Sequence, residues 1–275
     1  MSSFRASAPL TENWEHFDVA RTDGVTTVTL NRPEKLNALT FDSYADLRDL
    51  LVELPHRDDT RVLVLQGEGR GFCSGGDVNE IIAETLKMDP DDLLAFTRMT
   101  GEVVKAMREC PVPVIARVHG IAAGAGSVLA LASDFRVVAR SARFAFLFTR
   151  VGLSGADMGA AYLLPRVVGL GHATKLLMLG DTVPAPEADR YGLVSELVED
   201  DELDDAVSTL ATRLAQGPAF GYAQTKALLS RELDMNLSGA IELEAMTQAL
   251  LMKSADYAEF HAAFTGKRTP EWKGR

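Results

Sequence analysis

Cysteine is scarce in this chain. Its 275 residues include two, Cys73 and Cys110, too far apart for zinc-ligand spacing, so neither a disulfide framework nor a metal cage is indicated. Long hydrophobic runs are missing as well. The richest apolar stretch, Ile121 to Ala132, is interrupted by Gly124, Gly126 and Ser127 and falls short of the roughly 18 uninterrupted residues of a membrane span. The opening Met-Ser-Ser-Phe-Arg is polar, unlike a signal peptide, and a reducing cytoplasm is the expected location. Positive charge is in deficit: 28 Lys and Arg against 39 Asp and Glu give a net charge of −11. Phosphate contacts need clustered cations, so a nucleic-acid groove is not expected, and any polyanionic ligand must be held by local basic groups. No internal repeat or low-complexity linker interrupts the chain.

With 47% hydrophobic residues the chain can bury the core of one large domain, or of one with a modest appendage. A hairpin is expected at Asp23-Gly24, between strands over Phe17–Arg21 and Val25–Leu30. An amphipathic helix follows near Phe41–Leu54, with Leu47, Leu50, Leu51 and Leu54 on one face, and then a buried strand, Arg61–Gln66. A glycine-rich loop, 67–76, precedes a polar stretch near 85–92 and a helix over Asp91–Arg108. Strands are expected over residues 111–118, 134–138 and 144–148. From Met158 onward helices dominate: 160–168, 172–179, 186–191, 201–216, 219–233, 237–253 and 256–264. Repeated strand–helix units imply a largely parallel sheet.

Several familiar motifs fail on inspection. Gly67-x-Gly69 and Gly124-x-Gly126 carry Phe72 and Leu129 where a dinucleotide fingerprint needs its third glycine. No Gly-Lys-Ser/Thr phosphate loop occurs, and Ala156 replaces a glycine that a nucleophile elbow at Ser154 would need. The five histidines, 16, 56, 119, 172 and 261, form no ligand-like pair. What remains is a pair of turns of tiny residues, Phe72-Cys-Ser-Gly-Gly-Asp77 and His119-Gly-Ile-Ala-Ala-Gly-Ala-Gly126. Each follows a strand and enters a helix. Either they turn backbone N–H groups toward a ligand's negative charge, two of them converging as an oxyanion hole, or their small residues merely let helix pack closely on sheet.

These segments resemble the crotonase (enoyl-CoA hydratase/isomerase) family across nearly the whole chain. The matching pieces are residues 30–39 (LNRPEKLNAL), 71–78 (GFCSGGDV), 120–126 (GIAAGAG), 133–136 (SDFR), 163–169 (LLPRVVG) and 263–270 (AFTGKRTP). The resemblance implies an α/β fold, a crotonase-like spiral of β-β-α units with a C-terminal helical trimerisation layer. It divides the chain into a core over 1–200 and a helical oligomerisation region over 201–275. It places the oxyanion donors at the N–H groups of Ser74 and Ala125, with Asp77 bracing its own loop. The coenzyme A moiety is expected near Lys35, Leu36, Ala38, Gly76, Asp77 and Val78, with Phe264 and Lys267 reaching its nucleotide end from a neighbouring subunit and Arg268 adding charge. The implied partner is an acyl-CoA thioester, and the implied assembly a homotrimer or a dimer of trimers. No separate cofactor or metal is implied, because coenzyme A is part of the substrate.

The chain departs from the family's hydratases at one point. They use two glutamates, and the matching positions here hold Val128 and Phe148, neither of which can exchange a proton. Asp157, nine residues before Arg166, stands where relatives with isomerase or dehalogenase chemistry carry a carboxylate, although this turn is one residue longer than in the common version. Asp157 also precedes a helix, so it could be an N-cap. If Val128, Phe148, Leu153 and Met158 wall the pocket, desolvation should raise its pKa. The expected reaction is enoyl-CoA isomerisation, the amides stabilising an enolate while Asp157 shuttles a proton. The alternatives are a hydratase without the usual glutamates, or a non-catalytic CoA- or RNA-binding relative.

Overall fold

In the computed structural model, which describes residues 10–274, β-branched residues build the first hairpin. β1 (Phe17–Thr22) and β2 (Val25–Leu30) pair antiparallel, and along β2 alternate residues Thr26, Val28 and Leu30 turn inward. Asp23 and Gly24 both take positive φ (52° and 80°), the two-residue turn whose twist suits a hairpin. β3 (Val62–Gly67) is apolar on both faces, as a parallel strand covered on both sides must be. With β4 (Val114–Val118), β6 (Phe135–Ala139) and β9 (Glu196–Val198) it completes a six-stranded sheet ordered β1-β2-β3-β4-β6-β9, parallel apart from the hairpin. A smaller sheet holds β5 (Ile121–Ala123), β7 (Arg143–Ala145) and β8 (Thr182–Pro184).

The two sheets are wound by one repeated step. β4 lies in the large sheet, β5 in the small one, and helix α4 (Ala125–Ala132) follows. β6, β7 and the helix α5 (Ala160–Leu179) repeat the order. Between β4 and β5 the chain pivots at Gly120 (φ 55°), where an added Cβ would lie 2.0 Å from the Arg70 carbonyl oxygen. The remaining helices are α1 (Phe41–Glu53), α2 (Ala83–Thr85), α3 (Pro90–Glu109), α6 (Ala185–Arg190), α7 (Leu203–Ala215), α8 (Ala219–Arg231), α9 (Leu237–Leu251) and α10 (Ala255–Gly266). α3 packs on α1 and α8, α7 covers the large sheet at β2, β3, β4 and β6, and α9 leans on α8. Among the described residues, no helix is long and apolar enough to cross a membrane.

Two sequence expectations change. The strand expected over 144–148 ends at Ala145, where its pairing with Thr182 ends; with no strand left to pair, Leu147–Val151 coil into a 3-10 turn closed by Gly152 (φ 81°). The helices expected over 160–168 and 172–179 run together as α5, kinked at Gly169 (φ 76°, ψ 156°). The polar stretch near 85–92 is a loop over residues 86–89 between α2 and α3, as expected, and a π-helical turn over Val78–Ile82 precedes α2. The Asp89 carboxylate accepts the Asp91 and Asp92 amides, both at 2.9 Å, as the N-cap of α3, and acidic residues favour that end of a helix.

Leu36 (φ 51°) and Asn37 (φ 57°) occupy the left-handed region in succession, a conformation costly for residues with a Cβ unless the surroundings enforce it. Asn37 supplies the enforcement. It is 1% exposed; its Nδ2 donates to the Glu68 and Gly71 carbonyls at 2.8 Å each, and its Oδ1 accepts the Arg32 amide at 3.0 Å. One side chain thus clamps residues 32–37 to the first glycine-rich loop. Asn37→Ala leaves those buried partners unsatisfied and keeps the backbone strain, so it should destabilise the fold by about 2–4 kcal/mol, read as a lower midpoint in urea at unchanged slope.

Candidate active site

The segment 73–77 is threaded between two others. On one side the Ser74 amide donates to the Leu36 carbonyl (2.9 Å), the Leu39 amide to the Gly75 carbonyl (2.8 Å) and the Asp77 amide to the Leu39 carbonyl (2.8 Å). On the other, Cys73 and Ala122 bridge: the Cys73 amide donates to the Ile121 carbonyl (3.1 Å) and the Ala123 amide to the Cys73 carbonyl (2.9 Å). In a trans peptide the C=O and the following N–H point opposite ways. Because the Gly75 carbonyl points at Leu39, the Gly76 N–H must point away from it, toward the second loop. Gly75 has φ 100°, which lets the peptide before Gly76 face opposite to the one before Ser74.

This geometry corrects the expectation at Ser74. Its amide is committed to Leu36, and its Oγ donates to the Lys35 carbonyl (3.1 Å), so it has no free donor for a ligand. Gly76, read from sequence as a coenzyme A contact, carries the unengaged amide instead. At the start of α4, Gly124 takes φ 50° and its own amide donates to the Ala145 carbonyl (2.8 Å), while Ala125 is the first helical residue, whose N–H has no intrahelical acceptor. Among the described residues neither the Gly76 nor the Ala125 amide has a partner. A Cβ placed on Gly75 would lie 3.4 Å from the Ala125 nitrogen, and one on Gly126 would lie 2.1 Å from the Cys73 carbonyl oxygen. The glycines therefore bring the two turns into van der Waals contact, leaving two adjacent amides at the positive end of a helix.

Asp77 holds the first turn in shape. Its carboxylate, 4% exposed, accepts the Asn79 and Glu80 amides at 2.9 and 3.2 Å and faces the Arg32 guanidinium at 3.1 Å. Burial pushes its pKa up, but the two amides and the charges of Arg32 and Lys35 outweigh it and hold the carboxyl below its ordinary value. Lys35 is exposed, Leu36 half-buried and Ala38 buried beside this turn, with Val78 exposed just beyond it. Phe264 and Lys267 lie at the far end of the chain, on α10 and at its C-cap. Phe264 is 75% exposed and stacks on Phe260. Arg268 is engaged by the Glu259 carboxylate through both terminal nitrogens.

Asp157 stands at the mouth of α5 without capping it. The N-cap is Gly159, with no side-chain bond to the helix start; the Asp157 carboxylate accepts the Met158 amide at 2.9 Å, and its carbonyl accepts that of Ala160. Met158 (φ 48°) and Gly159 (φ 84°) both take left-handed backbone, a strained turn that aims the preceding side chain. Burial raises the Asp157 pKa, and the Met158 amide opposes it. Asp157 is close enough to the Tyr44 hydroxyl to perturb it electrostatically, and that hydroxyl lies 3.7 Å from where a Cβ on Gly76 would stand. The acid and the free amide thus both neighbour the Tyr44 hydroxyl.

The walls differ in part from expectation. Val128 is fully buried, Phe148 and Met158 are nearly so, but Leu153 is 60% exposed and encloses nothing in the single chain. Beyond Met158 opens a cavity of about 300 Å³, lined mainly by Val104, Met158, Tyr162, Leu163 and Leu233, with Lys105 and Arg108 also lining it. Sequence periodicity does not reveal it, because its walls come from α3, α5, α8 and the turn after α8.

The Enoyl-CoA hydratase/isomerase family profile matches residues 20–275. The chain is 38% identical to 1,2-epoxyphenylacetyl-CoA isomerase of Escherichia coli (strain K12) over 252 residues, covering 92% of this chain and 96% of that one. It is also 38% identical, over 255 residues, to a Rhodobacter capsulatus protein provisionally described as an enoyl-CoA hydratase, with coverage of 92% and 96%. A crystal structure from Streptomyces coelicolor A3(2), again provisionally described as an enoyl-CoA hydratase, superposes with a TM-score of 0.97 at 70% identity over the full length of both chains. The chain belongs to the enoyl-CoA hydratase/isomerase family of enzymes.

Proposed function

We propose that this enzyme moves a proton at the carbon next to an acyl-CoA thioester and so shifts a double bond, as an enoyl-CoA isomerase does. The observations that carry this reading are the two unengaged amides, Gly76 and Ala125, on turns packed against each other, and the partly buried carboxylate of Asp157, which acts on the Tyr44 hydroxyl beside Gly76. The thioester oxygen accepts from both amides. As Asp157 takes the α-proton, negative charge moves onto that oxygen, where preorganised donors stabilise it; one such donor is typically worth about 3–4 kcal/mol in the transition state. Asp157 then returns the proton to another carbon of the enolate. The cavity beyond Met158 takes the acyl chain, and Lys35 faces a coenzyme A phosphate. Exposed Leu237, Ile241, Leu250 and Phe264 on α9 and α10 support a subunit interface that brings Phe264 and Lys267 to a neighbour's nucleotide.

Hydration of a 2-enoyl-CoA is the second reading, and the provisional hydratase description of the Rhodobacter capsulatus relative favours it. Against it stand Val128 and Phe148, apolar and buried where the family's hydratases hold glutamates.

The test offers 2-enoyl- and 3-enoyl-CoA of several chain lengths to the wild type and to Asp157→Asn. Double-bond migration in the wild type and a drop of roughly 10³-fold or more in the variant are expected; equal rates would remove Asp157 from the chemistry. Asp157→Asn should also keep or raise the melting temperature at neutral pH. A carboxyl whose folded pKa is raised stabilises the native state at low pH, and that contribution is lost as pH rises through the folded pKa, so at neutral pH the charge costs stability that asparagine removes.

The same shift sets the rate profile. Only the ionised form accepts a proton, and burial lifts its pKa above the ordinary 3.8. The acid limb of kcat/KM should therefore fall above that value, and the residual activity of Asp157→Asn should lack it.

A further inference from the structure

Tyr44 lies in the first turns of α1, on the same inward stripe as Leu47 and Leu51. It is 4% exposed. Its ring packs edge-on against Phe96 of α3 (6.2 Å between centroids, 75°), and Phe41 meets the same ring at 4.8 Å. The side chain is held from both helices, and its hydroxyl points at the first oxyanion turn, 3.7 Å from the position of a Gly76 Cβ.

A buried phenol normally finds a hydrogen-bond partner. Among the described residues this one has none. The fully enclosed, unpartnered side-chain atoms there are Trp14 Nε1, Arg21 Nε and Nη2, Thr149 Oγ1 and Glu232 Oε1. Tyr44 Oη is not one of them, so it is not fully enclosed, and it lies on the side of Gly76 where a Cβ would stand. Burial, then the nearby Cys73 thiol and Asp157 carboxyl, push its ionisation above the ordinary value. The phenol therefore stays protonated and can act as a donor.

We infer that Tyr44 is a further catalytic residue, its hydroxyl giving the thioester oxygen a third hydrogen bond beside the Gly76 and Ala125 amides. The inference rests on the acyl-CoA isomerase reading above. No bond to Tyr44 forms or breaks. The α-proton goes to Asp157, the electron pair moves onto the thioester oxygen, and the phenol keeps its proton while its hydrogen bond strengthens with the growing charge.

The test measures kcat and KM for 3-enoyl-CoA isomerisation, and α-hydrogen exchange in D2O, for wild type, Tyr44→Phe and Asp157→Asn. Tyr44→Phe should lose roughly 10²-fold in kcat and in exchange at nearly unchanged KM. Its melting temperature should stay close to that of the wild type, since the ring packing is kept and no hydrogen bond to another described residue is lost. Unchanged kcat, or a change in KM alone, overturns the role of Tyr44 while a slow Asp157→Asn leaves the isomerase reading standing. A wild type that neither isomerises nor exchanges overturns that reading, and this role with it. If Tyr44→Phe does not fold, 3-fluorotyrosine at position 44 preserves the packing and alters the hydroxyl's acidity: a shifted kcat supports the inference and an unshifted one refutes it.

Discussion

The site depends on how the peptide planes of residues 73–77 are shared out. Ser74, Gly75 and Asp77 spend hydrogen-bonding groups on residues 36–39, and Cys73 spends both of its own on residues 121–123. What is left over is the Gly76 amide, facing the first turn of α4. Every neighbouring bond serves to fix that orientation, and a preorganised donor is effective because it need not reorient as charge develops. Asn37 and Asp77 protect the arrangement from either end: one is buried under three hydrogen bonds, the other held by two amides and a guanidinium.

Asp157 contrasts with Asp77 in what its carboxyl gains on burial. Both carboxyls lose solvent, but Asp77 gains two amides and cationic neighbours and is held ionised, whereas Asp157 gains one amide and is pushed toward its protonated form. One is thereby suited to bracing a turn and the other to exchanging a proton. Val128 and Phe148, which resemblance aligns with the glutamates of the family's hydratases, are buried and apolar, so the proposed chemistry rests on Asp157 alone.

Much of the fold was legible in the sequence because its signals are local. Asp23-Gly24 specifies a hairpin twist, the alternation of β2 marks one buried face, and the apolar run of β3 marks burial on both. Segments governed by partners read less well. Residues 147–151 have strand-like composition but no strand beside them, and Gly169 inside α5 reads as a break between two helices although it only kinks one. At the site, the small-residue turns, Asp77 and Asp157 were visible as motif matches. Tyr44 was not, because an aromatic on the inward stripe of a helix reads as core, and only its unpartnered hydroxyl next to Gly76 sets it apart.

Ser74 and Gly76 mark the boundary between the two kinds of information. By itself the sequence determined that a turn of tiny residues ends β3, that a second one opens α4, and that the hydratase glutamates are absent; these follow from which side chains are present. Which amide in the first turn is free is a matter of peptide orientation. The left-handed Gly75 and the pairing with Leu36 and Leu39 decide it, through contacts 36 to 38 residues apart that no local pattern encodes. Tertiary packing likewise decided which residues flank that amide, since no local pattern sets Tyr44 beside Gly76 or Gly75 beside Ala125.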